Sequence, residues 1–569
     1  MLKKYSISIL AATVAASVSI GANAQTPLQV VDLGTSEGAY VTFPGGMNDL
    51  GEAVVINRNL WQQNIRFDLL DPDEFPDIDF DNITDTDYRV IRDTLVSPTP
   101  LGQNPRFQKL ALEVSHLFNG QVFGLDGFDA IDPETNRETD SVNYLANDIN
   151  LAGVIVGSAG EPYELRWTTD RNNEEAQYFM RDTFPRAFAR INGEVIFLPT
   201  AEEDMFQGGT GAAFAINEQN QIVGRAAVAH IPNLDDRITF CQSEPEDPDE
   251  ASSTFEELSV CVWRYWYANE VALPLGGEQR NPIFVEQAHM WTLNEDGSVE
   301  ARRLGGYTQT FEPDDDGEQR PPAPLSSRAY DVNDQGIAVG TALRLVTLFT
   351  GAENQDALTS VVFMDGEVIA LQDEFRARVS EATAINDNNI VVGYSNNQVG
   401  SSTRSRAYWV DLNNLEAGRT YPRGFFSTSG WRPRAVNNQN VMVGRAEVTA
   451  EVIGQRPTVG FMYDIDTDTI TDLNTLLPCN SEYRIVDAYD INNDGEILAL
   501  ATTEVAIPID DGTEVTERMR AVRLQAGGEG TCSPEDQAVD RQGAAVHPVV
   551  AGFMAMFALL ITRRRLKKS

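Results

Sequence analysis

Ala382-Thr383-Ala384-Ile385-Asn386-Asp387-Asn388-Asn389-Ile390-Val391-Val392-Gly393 is the stretch on which the fold turns. A small residue opens it, Ile-Asn closes its first half, two polar residues and a Gly or Asn follow, and a β-branched run ends in Gly. The same pattern runs through Ala213–Gly224 around Asn217 and Ala329–Gly340 around Asn333, and four more copies centre on Asn48, Asn150, Asn437 and Asn492. Each copy reads as a β-hairpin. The recurring Asn ends the first strand, where its side chain can bond the backbone two residues on. Three residues later stand Gly51, Gly153, Asn220, Gly336, Asn389, Asn440 and Gly495. Gly and Asn best tolerate positive φ, which a short turn with one left-handed residue demands. The returning strand is rich in Val and Ile, as a buried strand is. Its terminal Gly stands in five copies, Gly157, Gly224, Gly340, Gly393 and Gly444; the first and last copies have Val55 and Ala499, as terminal repeats often depart from the pattern.

A second pair of strands follows most hairpins. The third strand is carried by Arg186–Phe188, Ala288–Trp291, Ser360–Phe363, Arg406–Trp409 and Val459–Tyr463. The fourth is carried by Asn192–Leu198, Asp365–Leu371 and Asp468–Leu473. Four antiparallel strands make a propeller blade. The late units are spaced 53, 51 and 55 residues apart, near the roughly 50-residue period of kelch blades. The seventh unit has a third strand at Arg520–Leu524 and no fourth; Leu28–Gly34 supplies one from the other end of the body. The expectation is an all-β, seven-bladed propeller of four-stranded blades, closed by the N-terminal strand so that no sheet edge is left open. The alternative architecture is a row of tandem small β-sandwiches.

These residues resemble the HAF repeats of bacterial extracellular proteins, in which Ala-x-x-Ile-Asn-x-x-Gly-x-Val-Val-Gly is followed by His-Ala-Phe and Asp-Leu-Gly. The chain looks like a member of a secreted bacterial family filed as a domain of unknown function. The resemblance covers most of residues 28 to 524 and implies export and a repeat fold, with no reaction attached. The third-strand His is read as kept only at His289.

Both ends read as addresses. Lys3 and Lys4 precede the apolar run Ile7 to Ile20, and Ala22-Asn23-Ala24 precedes Gln25. A basic start, an apolar stretch and an Ala-x-Ala cleavage site make residues 1–24 a signal peptide. The body is then 25–535 and a linker 536–545. Residues 546–569 form an apolar stretch followed by Arg563, Arg564, Arg565, Lys567 and Lys568. That tail is at the short limit for crossing a bilayer, with its basic cluster on the cytoplasmic side. It reads as a C-terminal sorting signal or a permanent single-pass anchor, so the body is expected in the periplasm, at the cell surface or in the medium. Four cysteines in an oxidising compartment are expected to pair, by proximity Cys241 with Cys261 and Cys479 with Cys532.

Asp plus Glu number 85 against 43 Lys plus Arg, a net charge of −42. Nucleic acid is excluded as a partner, because phosphate binding needs Lys and Arg. No Gly-x-Ser-x-Gly, His-Glu-x-x-His or phosphate-cradling loop occurs, and an enzyme is not the expected reading. A glycosidase needs only two well-placed carboxylates, which the sequence does not locate. The spacings Asn48 to Asn150 and Asn217 to Asn333 are 102 and 116 residues, so insertions are expected at about 60–140 and 229–287. The first holds an acidic run, Asp71 to Asp87. No cofactor is expected; Ca²⁺, which favours oxygen ligands, is the one ion this run would suit, against the plainer reading of a solvated loop. In the second, alternation in a strand from Cys261 would place Trp263, Tyr265 and Tyr267 on one face and Trp266 on the other, a candidate ligand surface for a glycan or protein. Asp49, Asp334, Asp387 and Asn438 follow the recurring Asn; they either serve the turn or face a central channel. The functional expectation is an exported, non-catalytic binding or scaffolding propeller whose extracellular partner is a protein or glycan. The alternatives are a polysaccharide-acting enzyme with carboxylates on the rim and a structural surface protein.

Overall fold

The recurring twelve-residue unit forms the two inner strands of every blade. The computed structural model describes residues 27–528 apart from 37, 59, 61, 98–103, 171–173, 203–204, 244–256, 267–283, 295, 311–320, 348–354, 372–377, 400–401, 451–455 and 510–511. Seven antiparallel sheets stand in a ring. Blade 3 is typical: Gly211–Ile216, Gln221–His230, Phe284–Leu293 and Val299–Gly305 pair in chain order. The first strands of successive blades touch one another around the ring, and Arg484–Ile491 of blade 7 touches Val41–Met47 of blade 1. Leu28–Asp32 is the fourth strand of blade 7, paired from Leu28↔Ala526 to Asp32↔Val522. The propeller is thus closed by its N-terminal strand. The core lies between blades: Met47, Val55 and Phe118 of blade 1 pack on Leu498 and Ala521 of blade 7, and Val223 and Met290 of blade 3 pack on Ala329 and Phe363 of blade 4.

Blade 5 has three strands, Ser380–Ile385, Ile390–Val399 and Ser402–Asp411. Its fourth position is held by a single residue, Thr420, which exchanges both backbone hydrogen bonds with Trp409. In that register Pro422 falls opposite Ala407, and proline has no N–H to continue the ladder.

The terminal Gly of the unit answers a bulge in the first strand. In blade 3 Ala213 pairs with Gly224 and Ala215 with Val223, leaving Phe214 as the extra residue. The bulge turns the Ala212 carbonyl inward, and a Cβ on Gly224 would lie 1.9 Å from that oxygen. Gly157, Gly340, Gly393 and Gly444 meet the equivalent carbonyl at 1.8 to 2.1 Å. Val55 and Ala499 escape because the bulges of blades 1 and 7 differ, with shifts between Pro44 and Met47 and at two points around Asp487.

One face of the ring is made by the turns after first strands and after third strands. The opposite face carries the connections from second to third strands and from blade to blade. Every large insertion is on that second face. The stretch read as one insertion, about 60–140, is two, because the third and fourth strands of blade 1, Glu113–Phe118 and Val122–Gly124, interrupt it. Residues 59–112 hold helix α1 (Asp85–Leu95) and a small core of Ile65, Leu70, Phe75, Ile91, Leu95 and Phe107. Residues 231–283 hold helices α2 (Pro232–Gln242) and α3 (Leu258–Trp266). Blade 2 carries a further hairpin, Glu164–Thr169 with Glu175–Met180.

Candidate functional site

The seven recurring Asn residues are buried and form a closed ring around the axis. Asn48 Nδ2 donates to the Asn150 carbonyl, Asn150 to Asn217, Asn217 to Asn333, Asn333 to Asn386, Asn386 to Asn437, Asn437 to Asn492, and Asn492 back to Asn48. The distances run from 2.8 Å at Asn386 to 3.4 Å at the closing step. Each Oδ1 serves its own turn; that of Asn386 accepts from the N–H groups of Asn388 and Ile390 at 3.1 and 2.9 Å. Gly51, Gly153, Asn220, Gly336, Asn389, Asn440 and Gly495 all have φ between 58° and 81°. One residue later a second circle runs. The side chains of Glu218, Asp334, Asp387, Asn438, Asn493 and Asp49 each accept from the N–H of the turn in the preceding blade. It is open at Leu151, whose side chain has no acceptor. The acidic residues after the motif Asn therefore bond neighbouring turns.

The inner strands also carry Asp148, Asp331 and Asp490, two residues before the recurring Asn, which the repeat pattern did not single out. Each accepts from the next blade, from Ile216, Ile385 and Met47 N–H at 2.9, 2.8 and 2.9 Å. Burial above all holds the three carboxyls above the usual range, Asp331 to about 6; the charge of Asp490 adds to the rise at Asp148 and Asp331, and that of Asp49 to the rise at Asp490.

His116 occupies the same third-strand position as His289, opposite Val55 as His289 is opposite Gly224. In blades 2, 5 and 6 the same position is held by Phe188, Tyr408 and Phe461. Asn57 Nδ2 donates to Nδ1 of His116 at 2.9 Å, so Nε2 carries the proton and donates to the Leu33 carbonyl at 3.1 Å. It thereby ties the ring-closing strand to blade 1. His289 makes the matching link, accepting from Ala201 N–H on the connection from blade 2. Burial pushes the His116 imidazole from 6.5 down to about 4, worth roughly 3 kcal/mol at about 1.4 kcal/mol per pKa unit. The native ring stays neutral while the unfolded chain takes up a proton below 6.5. Acidification from pH 6.5 to 4 therefore withdraws that stability. Denaturant melts of wild type and His116→Gln across this window should show the wild type losing about 3 kcal/mol more than the variant. Parallel curves would contradict the assignment.

Cys241 and Cys261 form a disulfide that joins α2 to α3. Cys479 is also disulfide-bonded; Cys532, its expected partner, lies outside the described residues. The segment Leu258–Trp266 is helical and not a strand, so the strand alternation expected of Trp263, Tyr265 and Trp266 does not apply. Val260, Cys261 and Val262 pack instead with Leu234, Phe284 and the blade 2 hairpin residues Tyr178 and Met180; Tyr267 lies outside the described residues. The bridge closes a 20-residue separation, which chain entropy values at about 3 kcal/mol. The Cys241→Ser, Cys261→Ser double variant should be cut first within 231–283 in limited proteolysis while the propeller melts as before.

In the acidic run, Asp71 and Asp79 cap their own turns and Asp87 forms a capping box with Thr84 at the start of α1. Among the described residues no group of three or more His, Cys, Asp or Glu is arranged to hold a metal ion, and no helix is long and apolar enough to cross a membrane. Ala22, Ala24, Gln25, the linker and the tail lie outside the described residues.

The insertions join into one cap over blades 1 to 3. Gln177 of the blade 2 hairpin donates to the carbonyls of Leu69 and Arg106, both at 3.1 Å. Phe179 N–H donates to Pro105 at 2.8 Å, and Arg106 pairs with Asp170 at 2.8 Å. The hairpin's other side packs on α2 and α3. Within the cap a wide-mouthed cleft of about 820 Å³ opens between α1 and residues 137–140. Among the described residues Asp85, Tyr88 and Arg89 of α1 line it together with Arg137, Glu138, Asp140, Gln62 and Gln63. Scaffold bonds fix part of this lining: Tyr88 O–H donates to Gln63 O at 2.8 Å, Asp140 accepts from Asn64 N–H at 2.6 Å, and Arg137 donates to Gln62 O at 3.2 Å. Burial, then neighbouring carboxylates, raises the Glu138 carboxyl; burial above all raises that of Asp140. Beyond the excess spacing of the first two repeats, nothing in the sequence marks these side chains.

A family model described as "Protein of unknown function (DUF3466)" matches residues 2–565. The chain belongs to this family. Propeller and cap both fall within the span the family shares. No curated protein matches the chain. Among solved structures it is similar to a Trypanosoma rangeli sialidase in complex with the inhibitor DANA, at 9% identity and a TM-score of 0.28, over 71% of this chain and 56% of that one.

Proposed function

We propose that this protein is an exported, non-catalytic binding propeller displayed at the cell envelope, and that it holds its ligand in the cap. The observation that carries this is the gathering of every large insertion onto one face, where they join into a single cap with a polar cleft. Long insertions in compact domains are commonly functional, and a concave site with convergent polar groups is where a ligand is expected. Export is supported by the N-terminal pattern around Ala22 and Ala24, by the HAF-type repeat, and by the Cys241–Cys261 disulfide, which suits an oxidising compartment. Gly527 and Gly528 N–H both donate to the Pro27 carbonyl, so both ends of the body leave together on the turn face. A membrane-proximal tail would hold that face inward and turn the cap outward.

A second reading is favoured by one feature of the same cleft. Glu138 and Asp140, both raised, line it together with Asp85, and glycoside hydrolysis uses one raised carboxyl with one carboxylate.

The test uses purified mature protein against the host's envelope polysaccharide and envelope proteins, immobilised separately. The Arg89→Ala, Glu138→Ala double variant is compared with Gln439→Ala on the turn face. Binding to one fraction that only the cleft variant loses supports the proposal. No binding to either fraction overturns it, and release of reducing ends from the polysaccharide favours the enzyme.

A further inference from the structure

His230 ends the second strand of blade 3, directly before α2. Phe206 N–H donates to its Nε2 at 3.1 Å. A backbone amide nitrogen only donates, so Nε2 is the bare ring nitrogen and Nδ1 carries the proton, donated to Asp235 Oδ1 of α2 at 3.1 Å. Both ring nitrogens are thus committed while the imidazole is neutral. A second proton has to go on Nε2, and both nitrogens of an imidazolium are donors. Nε2–H then meets the Phe206 N–H donor to donor, and that bond is lost.

What the bond holds is a strained turn. Phe206 begins it, on the connection from blade 2, and Gln207, Gly208 and Gly209 follow with φ of 47°, 78° and 67°. Left-handed backbone is free to the two glycines and opposed at Gln207. Two bonds close the turn on itself, Gly208 N–H to Met205 O and Gly209 N–H to Phe206 O, both at 3.0 Å. Phe184 N–H also reaches it, to Gln207 O at the longer 3.4 Å. Met205 and Phe206 pack on the core that joins the blade 2 hairpin to α2 and α3. The latching bond therefore secures the footing of that part of the cap.

The charge facing the imidazole is negative. Asp235 stands on α2, whose Arg237 lies over the Phe240 ring instead. Across the ladder Phe284 presents an uncharged ring, 5.7 Å between centroids. Glu286, beyond it on the same strand, is held by Arg225 and Thr210. The turn from Met205 to Gly209 carries no charge.

We propose that His230 is a pH-sensitive latch on the cap: a proton taken up at Nε2 releases the Phe206 N–H, and the turn Phe206–Gly209 loosens from the core beneath α2 and α3. Histidine is the side chain that changes charge between about pH 5 and 8, so mild acid opens the latch. Hydrogen–deuterium exchange of the full mature protein is compared at the two ends of that range, with rates corrected for the intrinsic effect of pH. Peptides across residues 205–211 should lose protection about 3- to 10-fold on acidification, the worth of one hydrogen bond. His230→Gln offers Phe206 an amide oxygen that takes up no proton, and its protection should stay level. His230→Leu should lack the protection at both ends, with its melting temperature showing that the body is folded. Wild-type protection that does not fall overturns the latch. So does a fall that His230→Gln shares, a fall spread evenly over all the blades, or wild-type protection retained by His230→Leu.

Discussion

Gly224→Ala is expected to abolish the native fold. The new Cβ would sit 1.9 Å from the Ala212 oxygen and 2.9 Å from the Ala213 Cα, and both are backbone atoms of the strand that walls the central channel. Relief requires moving that strand, and with it its contacts to blades 2 and 4. A loss above about 4 kcal/mol is expected, the range of severe core disruption. Gly153→Ala is the matched comparison. Gly153 has φ 74°, and a Cβ there would meet nothing within 4 Å, so only the left-handed backbone opposes a side chain, about 1–2 kcal/mol. Soluble yield and thermal melting read both variants. If Gly224→Ala melts within a few degrees of Gly153→Ala, the close approach does not exist.

Asn386→Ala should be the most costly change within the ring. It strips acceptors from two N–H groups, of Asn388 and Ile390, and the donor from the Asn437 carbonyl. The Ile390 N–H and the Asn437 carbonyl are buried, and each abandoned buried group costs about 1–3 kcal/mol, so a loss of roughly 4 kcal/mol is expected. Asn386→Asp separates the two duties: it keeps an oxygen for the turn and sets another against the Asn437 carbonyl. It should lower the melting temperature as well, since a buried charge then faces an acceptor. Gln439→Ala, exposed on a turn of the same face, should stay within about 0.5 kcal/mol of wild type. A small effect of Asn386→Ala would show that the turns stand without the ring.

The architecture was legible because it is written seven times. Asn, the left-handed residue and the terminal Gly each answer a local backbone need, and local needs survive in sequence. Closure was legible for the same reason, since Leu28–Gly34 matches a fourth-strand ending. What the Asn amide does beyond its own turn was not legible. Its donation to the next blade depends on how blades are set around the axis, and a single unit holds no trace of that. The hairpin of blade 2 left a faint signal, the 67-residue spacing from Asn150 to Asn217, about fifteen more than a late blade. The segment Cys261 to Tyr267 misled because a short apolar run suits a strand and a buried helix equally. Packing of Val260, Cys261 and Val262 against the hairpin decided for the helix. The cleft was hidden entirely. Gln63, Arg89 and Glu138 share no motif and no period; they meet because the insertion between strands of blade 1 folds back onto the connection to blade 2.

Hydrogen–deuterium exchange of the full mature protein, with and without the host's envelope polysaccharide and, separately, its envelope proteins, tests the central claim most directly. Protection confined to residues 62–66, 85–95 and 137–140, with the turn face unchanged, is the result the cap site predicts. Protection on the turn face alone, or none anywhere with either fraction at saturation, would contradict it.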